Sequence, residues 1–249
     1  MGNTEGIEQL LFDLASESRL GILKELSRNS LKMADVARKL DLTATENFRQ
    51  LQRLSEAKLI QKNPDGEYTL TEYGKLTLHL LPALEVAYRN KEYLNTHNLW
   101  RLPDQFVNRI GELTAATLNM DMIDNVNKAA RLVGEAEKYV WGMGDRALES
   151  IGPIMAKRIT SGVKFKFIFH ESMLAQYGPA LQEVQSVEKR TLNQIPARIF
   201  CTEKAAALGL QTMEGRIDFT CFFGSDPVFV SWVKDLFSYY WDKAQRCIP

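Results

Sequence analysis

Apolar and polar positions follow a helical rhythm at the start of the chain, alternate in the middle, and return to helical spacing at the end. Ile7, Leu10, Leu11 and Leu14 give a first amphipathic helix, and Leu20, Leu23 and Leu26 a second. Met33, Val36, Ala37 and Leu40 stand at i, i+3, i+4 and i+7 and mark a third. Asp41 and Leu42 turn the chain, and Thr43 followed by Glu46 predicts a capping box for a fourth helix. On that helix Phe48, Leu51 and Leu54 are expected to face inward. Thr45, Arg49 and Arg53 then stack on the opposite side, flanked by Glu46 and Gln50. Residues 59–62 and 67–70 alternate around Asn63-Pro64-Asp65-Gly66, a hairpin with turn residues at its tip. From Thr71 to about His97 the pattern is helical again, with Pro82 expected to kink or restart the helix.

The remainder alternates between helix and strand. Residues 98–111, with Pro103, look like a connector. Helices are expected over 122–136, 147–161 and 174–184, and strands over 138–142, 163–169, 198–202, 205–210 and 217–223. Phe165, Phe167 and Phe169 share one face of their strand. Asp226-Pro227 opens a last helix with an N-cap and a first-turn proline. Along it Phe229, Trp232, Val233, Leu236, Phe237, Tyr240 and Trp241 repeat at helical spacing, a stripe that belongs to a core or a subunit contact. The predicted fold class is α+β in two domains: 1–80, a winged helix; 81–111, linking and dimerisation helices; 112–249, an α/β effector domain.

Two short helices, a recognition helix and a hairpin in that order have the plan of a winged helix-turn-helix. Two arginines alone are better read as a solvated helix face, but the whole constellation favours double-stranded DNA. Thr43, Thr45, Asn47, Arg49, Gln50 and Arg53 are the expected contacts to one half-site, with Lys62 of the wing at a phosphate or the minor groove. Charge refines this. The chain has 31 basic and 31 acidic residues, so no global field draws it to nucleic acid. Between Lys32 and Lys62, however, seven Lys and Arg outnumber four acids. Modest local positive charge suits reading of a specific site rather than indiscriminate coating.

The motifs Ser16-Glu17-Ser18-Arg19-Leu20-Gly21-Ile22-Leu23, Met33-Ala34-Asp35-Val36-Ala37, Glu56-Ala57-Lys58-Leu59-Ile60 and Leu70-Thr71-Glu72-Tyr73-Gly74-Lys75 resemble the ArsR-type winged helix of archaeal regulators. The resemblance covers about the first 80 residues and implies a homodimeric transcription regulator. Metal-sensing members carry Cys and His ligands on the helix before the recognition helix, and this chain has neither there. Residues 112–246 resemble, through "YVWGMGD", "ITSGVKFKFIF" and "FTCFFGSDPVFVSWVKDLFSYYW", the sensing domain of the methanogenesis regulatory protein family, and more distantly the TrmB regulators. That likeness implies a phospholipase D-like fold. Catalytic members use H-x-K-x4-D; His170 is followed instead by Glu171 and Ser172, and neither His79 nor His97 has a lysine two residues on. The fold would then serve as a receptor for a small effector.

Gly142-Met143-Gly144-Asp145-Arg146-Ala147 matches a dinucleotide-binding turn, with Glu171 near the place of a ribose-binding acid. Glycines also simply permit a tight strand-to-helix turn. Since ligands of α/β domains sit beyond strand C-termini, Trp141, Asp145, His170, Glu171, Thr202 and Lys204 are the expected ligand contacts. No cofactor, catalytic residue or metal ligand is expected. Cys201, Cys221 and Cys247 are far apart and odd in number, without a C-x-x-C pair. No apolar run approaches a membrane span, and a cytoplasmic location is expected. Two rivals stand beside the regulator: an enzyme with a phospholipase D-like or dinucleotide-binding domain fused to a DNA-binding module, and an interaction module whose winged helix binds protein.

Overall fold

A computed structural model describes residues 6–146, 149–173 and 187–246. The chain forms two compact units, dividing between Pro82 and Ala83. The expected helix over 174–184, the end of the glycine motif at Ala147, and Cys247 lie outside the described residues.

The first unit carries α1 (Ile7–Leu14), α2 (Glu17–Leu26), α3 (Met33–Leu40) and α4 (Ala44–Glu56), with a sheet of β1 (Leu31–Lys32), β2 (Ile60–Lys62) and β3 (Glu67–Leu70) in the order β1-β3-β2. Its core gathers Leu14, Ile22, Leu23, Leu26, Val36, Leu51, Leu54, Leu59, Ile60 and Leu70. Local chemistry sets the boundaries. Ser16 accepts from the Arg19 N–H to cap α2, and Thr43 accepts from the Glu46 N–H at 3.2 Å to cap α4. The other half of the expected box differs, because the Glu46 carboxylate accepts from Ser18 Oγ at 3.1 Å. Asp41 turns the chain between α3 and α4 in the left-handed region, with φ 52°. At the wing tip Gly66, with φ 81°, donates its N–H to the Asn63 carbonyl at 2.9 Å.

The Leu70-Thr71-Glu72-Tyr73-Gly74 motif has a physical explanation. Thr71 Oγ1 accepts from the Gly74 N–H at 2.9 Å, and a Cβ on Gly74 would lie 2.0 Å from the Leu59 carbonyl oxygen. Only glycine lets the helix start that close to the wing. That helix, α5 (Glu72–Arg89), passes through Pro82 without restarting. The proline ring costs one backbone hydrogen bond, and the turns on either side continue the helix.

The second unit holds α6 (Lys91–Thr96), α7 (Asp104–Val107), α8 (Met122–Glu135), α9 (Gly152–Thr160) and α10 (Pro227–Lys243) around a mixed sheet. Its strands are β4 (Thr117–Asn119), β5 (Tyr139–Gly144), β6 (Lys164–His170), β7 (Val187–Leu192), β8 (Ala197–Thr202), β9 (Ala206–Leu210), β10 (Cys221–Gly224) and β11 (Gln245–Arg246), in the order β11-β7-β6-β5-β8-β9-β10-β4. Only β5, β6 and β7 run parallel to one another; the remaining pairings are antiparallel. One face packs Met143, Ile199, Cys201 and Leu208 with Phe229, Trp232, Phe237 and Trp241 of α10. The other packs Val140, Phe165 and Phe167 with Ala129 and Val133 of α8. The aromatic stripe of α10 is therefore core.

Residues 98–111 are not a free connector. Leu102, Phe106 and Val107 are buried in the same core as α10, and Phe106 packs edge-on to Trp232 at 5.6 Å. Pro103 masked this in the sequence, because a proline between short apolar runs has the look of a linker. A second anchor joins α6 to β9 and β10: Tyr93 stacks on His97 at 3.8 Å, and His97 Nε2 lies 3.1 Å from Asp218 and from Thr220 Oγ1.

Candidate nucleic-acid interface and ligand cavity

The inward face of α4 is not the one its apolar letters predict. Asn47, Gln50, Leu51 and Leu54 are buried, at i, i+3, i+4 and i+7, whereas Phe48 is 55% exposed. Asn47 Nδ2 donates to the Met33 carbonyl at 2.8 Å. Gln50 Oε1 accepts from Arg19 Nη1 at 3.1 Å. Both amides were expected at DNA; both are spent inside the unit, because buried backbone and guanidinium groups need them as partners.

Arg53 is also turned inward. Its Nε donates to Asp13 at 3.0 Å and its guanidinium lies over the Phe12 ring at 4.4 Å. Asp13 also accepts from Gln9 at 3.0 Å. Arg19, only 7% exposed, donates to the backbone carbonyls of Asp13 and Phe12. Burial, and then repulsion from Arg53, lower the pKa of Arg19 against the pull of Asp13. This network ties the end of α1 to α2 and α4, and fixes the angle at which α4 is presented.

The exposed row of α4 is Thr45, Phe48, Arg49 and Gln52, with Thr43 at its start and Glu56 at its end. Phe48 and Gln52 were missed, since a phenylalanine is scored as core by pattern alone. Among the described residues of this stretch, Arg38, Lys39 and Arg53 are paired with acids, while Lys32, Arg49, Lys58 and Lys62 make no ion pair. Lys62 stands on the wing, 5.7 Å from the Tyr68 ring centre. The surface thus combines free cations, a hydroxyl, an amide and an exposed aromatic ring.

In the second unit the ligand candidates separate. Asp145 and His170 line one cavity of about 500 Å³, together with Arg101, Ser172, Asn193 and Gln194. It lies at the C-terminal ends of β5, β6 and β7. Glu171 follows His170 but is not part of the lining. Thr202 and Lys204 lie at the opposite end of the sheet, because β8 runs antiparallel to β5. Thr202 Oγ1 accepts from the N–H groups of Lys204 and Ala205 in the β8–β9 turn, and Lys204 pairs with Glu137 just before β5. Trp141 stacks on Phe237 at 5.3 Å and packs against the core.

His170 is fixed by two contacts. Its Nε2 faces the Asn193 carbonyl at 2.9 Å, an atom that can only accept, so Nε2 is the protonated nitrogen. Nδ1 then accepts from Ser172 Oγ at 2.7 Å and from the Ser172 N–H at 3.2 Å. The lone pair a nucleophile would use is engaged. Gly142, the first glycine of the dinucleotide-like motif, is filled by protein: a Cβ there would lie 2.3 Å from the Phe167 ring. Its lack of a side chain serves packing between β5 and β6.

Cys201 and Cys221 are buried, and burial pushes both thiols up to about 12, which keeps them protonated and unreactive. Among the described residues, no three His, Cys, Asp or Glu side chains converge as a metal site, and no helix is long and apolar enough to cross a membrane.

Residues 7–90 match the HVO_A0261 N-terminal domain, and residues 122–243 match the middle domain of Methanogenesis regulatory protein FilR1. The exposed row of α4 falls within the first matched segment, and the cavity at the strand ends mostly within the second. No match was found among curated proteins. Among solved structures the chain is similar to TrmBL2, an archaeal chromatin protein, at 14% identity over 93% of this chain and 94% of that one, with a TM-score of 0.47. It is also similar to NucT from Helicobacter pylori, at 12% identity over 53% of this chain and 97% of that one, with a TM-score of 0.44. The phospholipase D family member Nuc from Salmonella typhimurium follows at 11%, 49%, 90% and 0.39 for the same four measures. Similarities of this extent do not speak to function.

Proposed function

We propose that the protein is a DNA-binding transcription regulator whose FilR1-type domain senses a small molecule. The observation that carries the first half is the exposed row of α4 beside unpaired cations on α4 and the wing. Thr45, Arg49 and Gln52 offer a hydroxyl, a guanidinium and an amide to base edges, and Phe48 offers apolar contact to a thymine methyl. Thr43, Lys32, Lys58 and Lys62 suit phosphates. The FilR1 match supports a regulatory role. If those cations meet phosphates, the logarithm of affinity falls against that of salt with a slope of about −3 per protomer. A slope near zero removes the DNA reading.

The protein acts as a homodimer. Along α5, Tyr73, Leu76, Leu80, Leu84 and Tyr88 are exposed at intervals of three or four residues, a stripe that a second copy covers. Leu80→Glu with Leu84→Glu yields a monomer in sedimentation and loses binding to paired half-sites about one DNA turn apart. A dimer that survives both changes contradicts the assignment.

The cavity of about 500 Å³ supports the second half, since it has the size of a small-ligand site and sits at strand ends. Its occupant shifts the affinity for DNA. An enzyme draws no support from these residues: both nitrogens of His170 are engaged, and Gly142 is filled by Phe167.

A further inference from the structure

The cavity at the strand ends is lined by one cation and one acid, and that acid is shared with two further cations behind it. Asp145 is the acid in its lining, and Arg101 contributes a cation from a separate segment. The Asp145 carboxylate is already shared: Arg198 Nη2 donates to one oxygen at 3.0 Å, and Arg146 Nη2 to the other at 3.2 Å. Arg146 also reaches the carbonyl of Ile217, itself a lining residue, at 3.4 Å. Two guanidiniums thus share one carboxylate from behind the lining, and a third, that of Arg101, lines the same cavity.

Arg198 is the telling member. It is 5% exposed and lies over the Phe219 ring at 4.4 Å, yet its Nη1 is buried without a hydrogen-bond partner. A buried guanidinium N–H without an acceptor is costly, and proteins rarely leave one unless an anion, water or ligand completes it. The neighbouring groups do not restore balance. Glu214 and Arg216, on either side of Gly215, pair with each other at 3.5 Å. Asp218 is engaged with His97 and Thr220. His170 presents the hydrogen-bond pattern of a neutral imidazole.

We propose that this cavity binds a compact oxyanion, a carboxylate or a phosphate, through Arg101 and the arginine pair that Asp145 bridges. Asp145 acts as a built-in competitor: it holds Arg146 and Arg198 in place while the site is empty of ligand and sets the threshold an incoming anion must exceed. The side-chain amides of Asn193 and Gln194 supply neutral donors around it. This assigns a ligand class to the sensor site proposed above and rests on that reading only for the consequence at DNA, not for the binding itself.

The test is calorimetric titration of the full-length protein with inorganic phosphate, citrate and, as a neutral control, glucose, all at one ionic strength held with sodium chloride. At least one of the two anions binds saturably, and which of them does so separates phosphate from carboxylate. Arg101→Gln weakens that anion at least tenfold. Asp145→Asn tightens it several-fold, which a merely structural Asp145 would not do. Melting temperature reports whether each variant is folded, and Arg101 is exposed, so its replacement leaves the fold intact. Binding of glucose alone, of neither anion, or of an anion indifferent to Arg101→Gln overturns the proposal. DNA affinity is measured in parallel with and without the anion. Saturable anion binding that leaves DNA affinity unchanged upholds the ligand class and refutes the sensor reading.

Discussion

Two buried arginines, one in each unit, show how differently the same side chain can be used. Arg19 and Arg198 are 7% and 5% exposed. Every nitrogen of the Arg19 guanidinium has an acceptor: the carbonyls of Asp13 and Phe12, and Gln50 Oε1. Arg198 has one carboxylate, a ring face, and an Nη1 with nothing to donate to. A fully satisfied buried charge holds a scaffold in one arrangement, whereas a half-satisfied one keeps donor capacity in reserve. The first unit uses its buried arginine to aim a surface. The second leaves its own with a donor that the ligand proposed above would complete.

That contrast breaks most visibly in stability. Arg19→Met strands Gln50 and two carbonyls and leaves Asp13 with Arg53 as its remaining cation. It should cost about 3 kcal/mol in urea unfolding of the first unit. Arg198→Met removes an orphaned donor, and Asp145 keeps Arg146, so the expected cost is about 1 kcal/mol or less. Equal losses for the two would erase the distinction.

On α4 the comparison sharpens to adjacent residues. Arg49→Ala should weaken specific DNA binding by about 1–3 kcal/mol with no change in melting temperature. Gln50→Ala should instead cost about 1 kcal/mol of stability, because it leaves Arg19 Nη1 without its acceptor. The reverse assignment of effects, read by anisotropy and thermal melting, would restore Gln50 to the DNA face.

The smallest effect concerns pH. Burial pushes Asp218 up, but hydrogen bonds from Thr220 and His97 outweigh it and leave the carboxyl below its ordinary value. A depressed folded pKa contributes stability above the unfolded value, near 4, and loses it as pH falls through the folded one. Because the side chain is 40% exposed, the contribution is a few tenths of a kcal/mol after screening. Wild type should therefore lose slightly more stability than Asp218→Asn between pH 5 and pH 3. Parallel loss in both would mean that the His97 contact is energetically silent.

Much of this was readable in the amino-acid pattern, and the failures share causes. The helices of the winged helix, the Thr43 cap, the Asn63–Gly66 tip and the Asp226 cap depend on local chemistry, and local chemistry is visible in sequence. The inward face of α4 was not, since Asn47 and Gln50 count as polar although a backbone carbonyl and Arg19 draw them inside. Thr202 and Lys204 were misplaced because strand direction is a tertiary property: β8 looks like any other strand, and only its pairing with β5 shows that it ends at the far edge. β7 escaped notice because Glu188, Lys189 and Arg190 disguise a strand that pairs with β6 along its whole length. Asp145 and His170 come together in one cavity because both lie at the ends of strands of the parallel trio.

The outward row of α4 decides the DNA reading, and one experiment addresses it directly. Duplexes selected from a random library by the full-length protein are titrated against wild type, Phe48→Ala, Arg49→Ala, Gln52→Ala and Gln50→Ala, with melting temperature measured alongside. Losses of tenfold or more for Arg49→Ala and severalfold for Phe48→Ala and Gln52→Ala, at unchanged melting temperature, are predicted. Affinities equal to wild type in all three outward variants would contradict it.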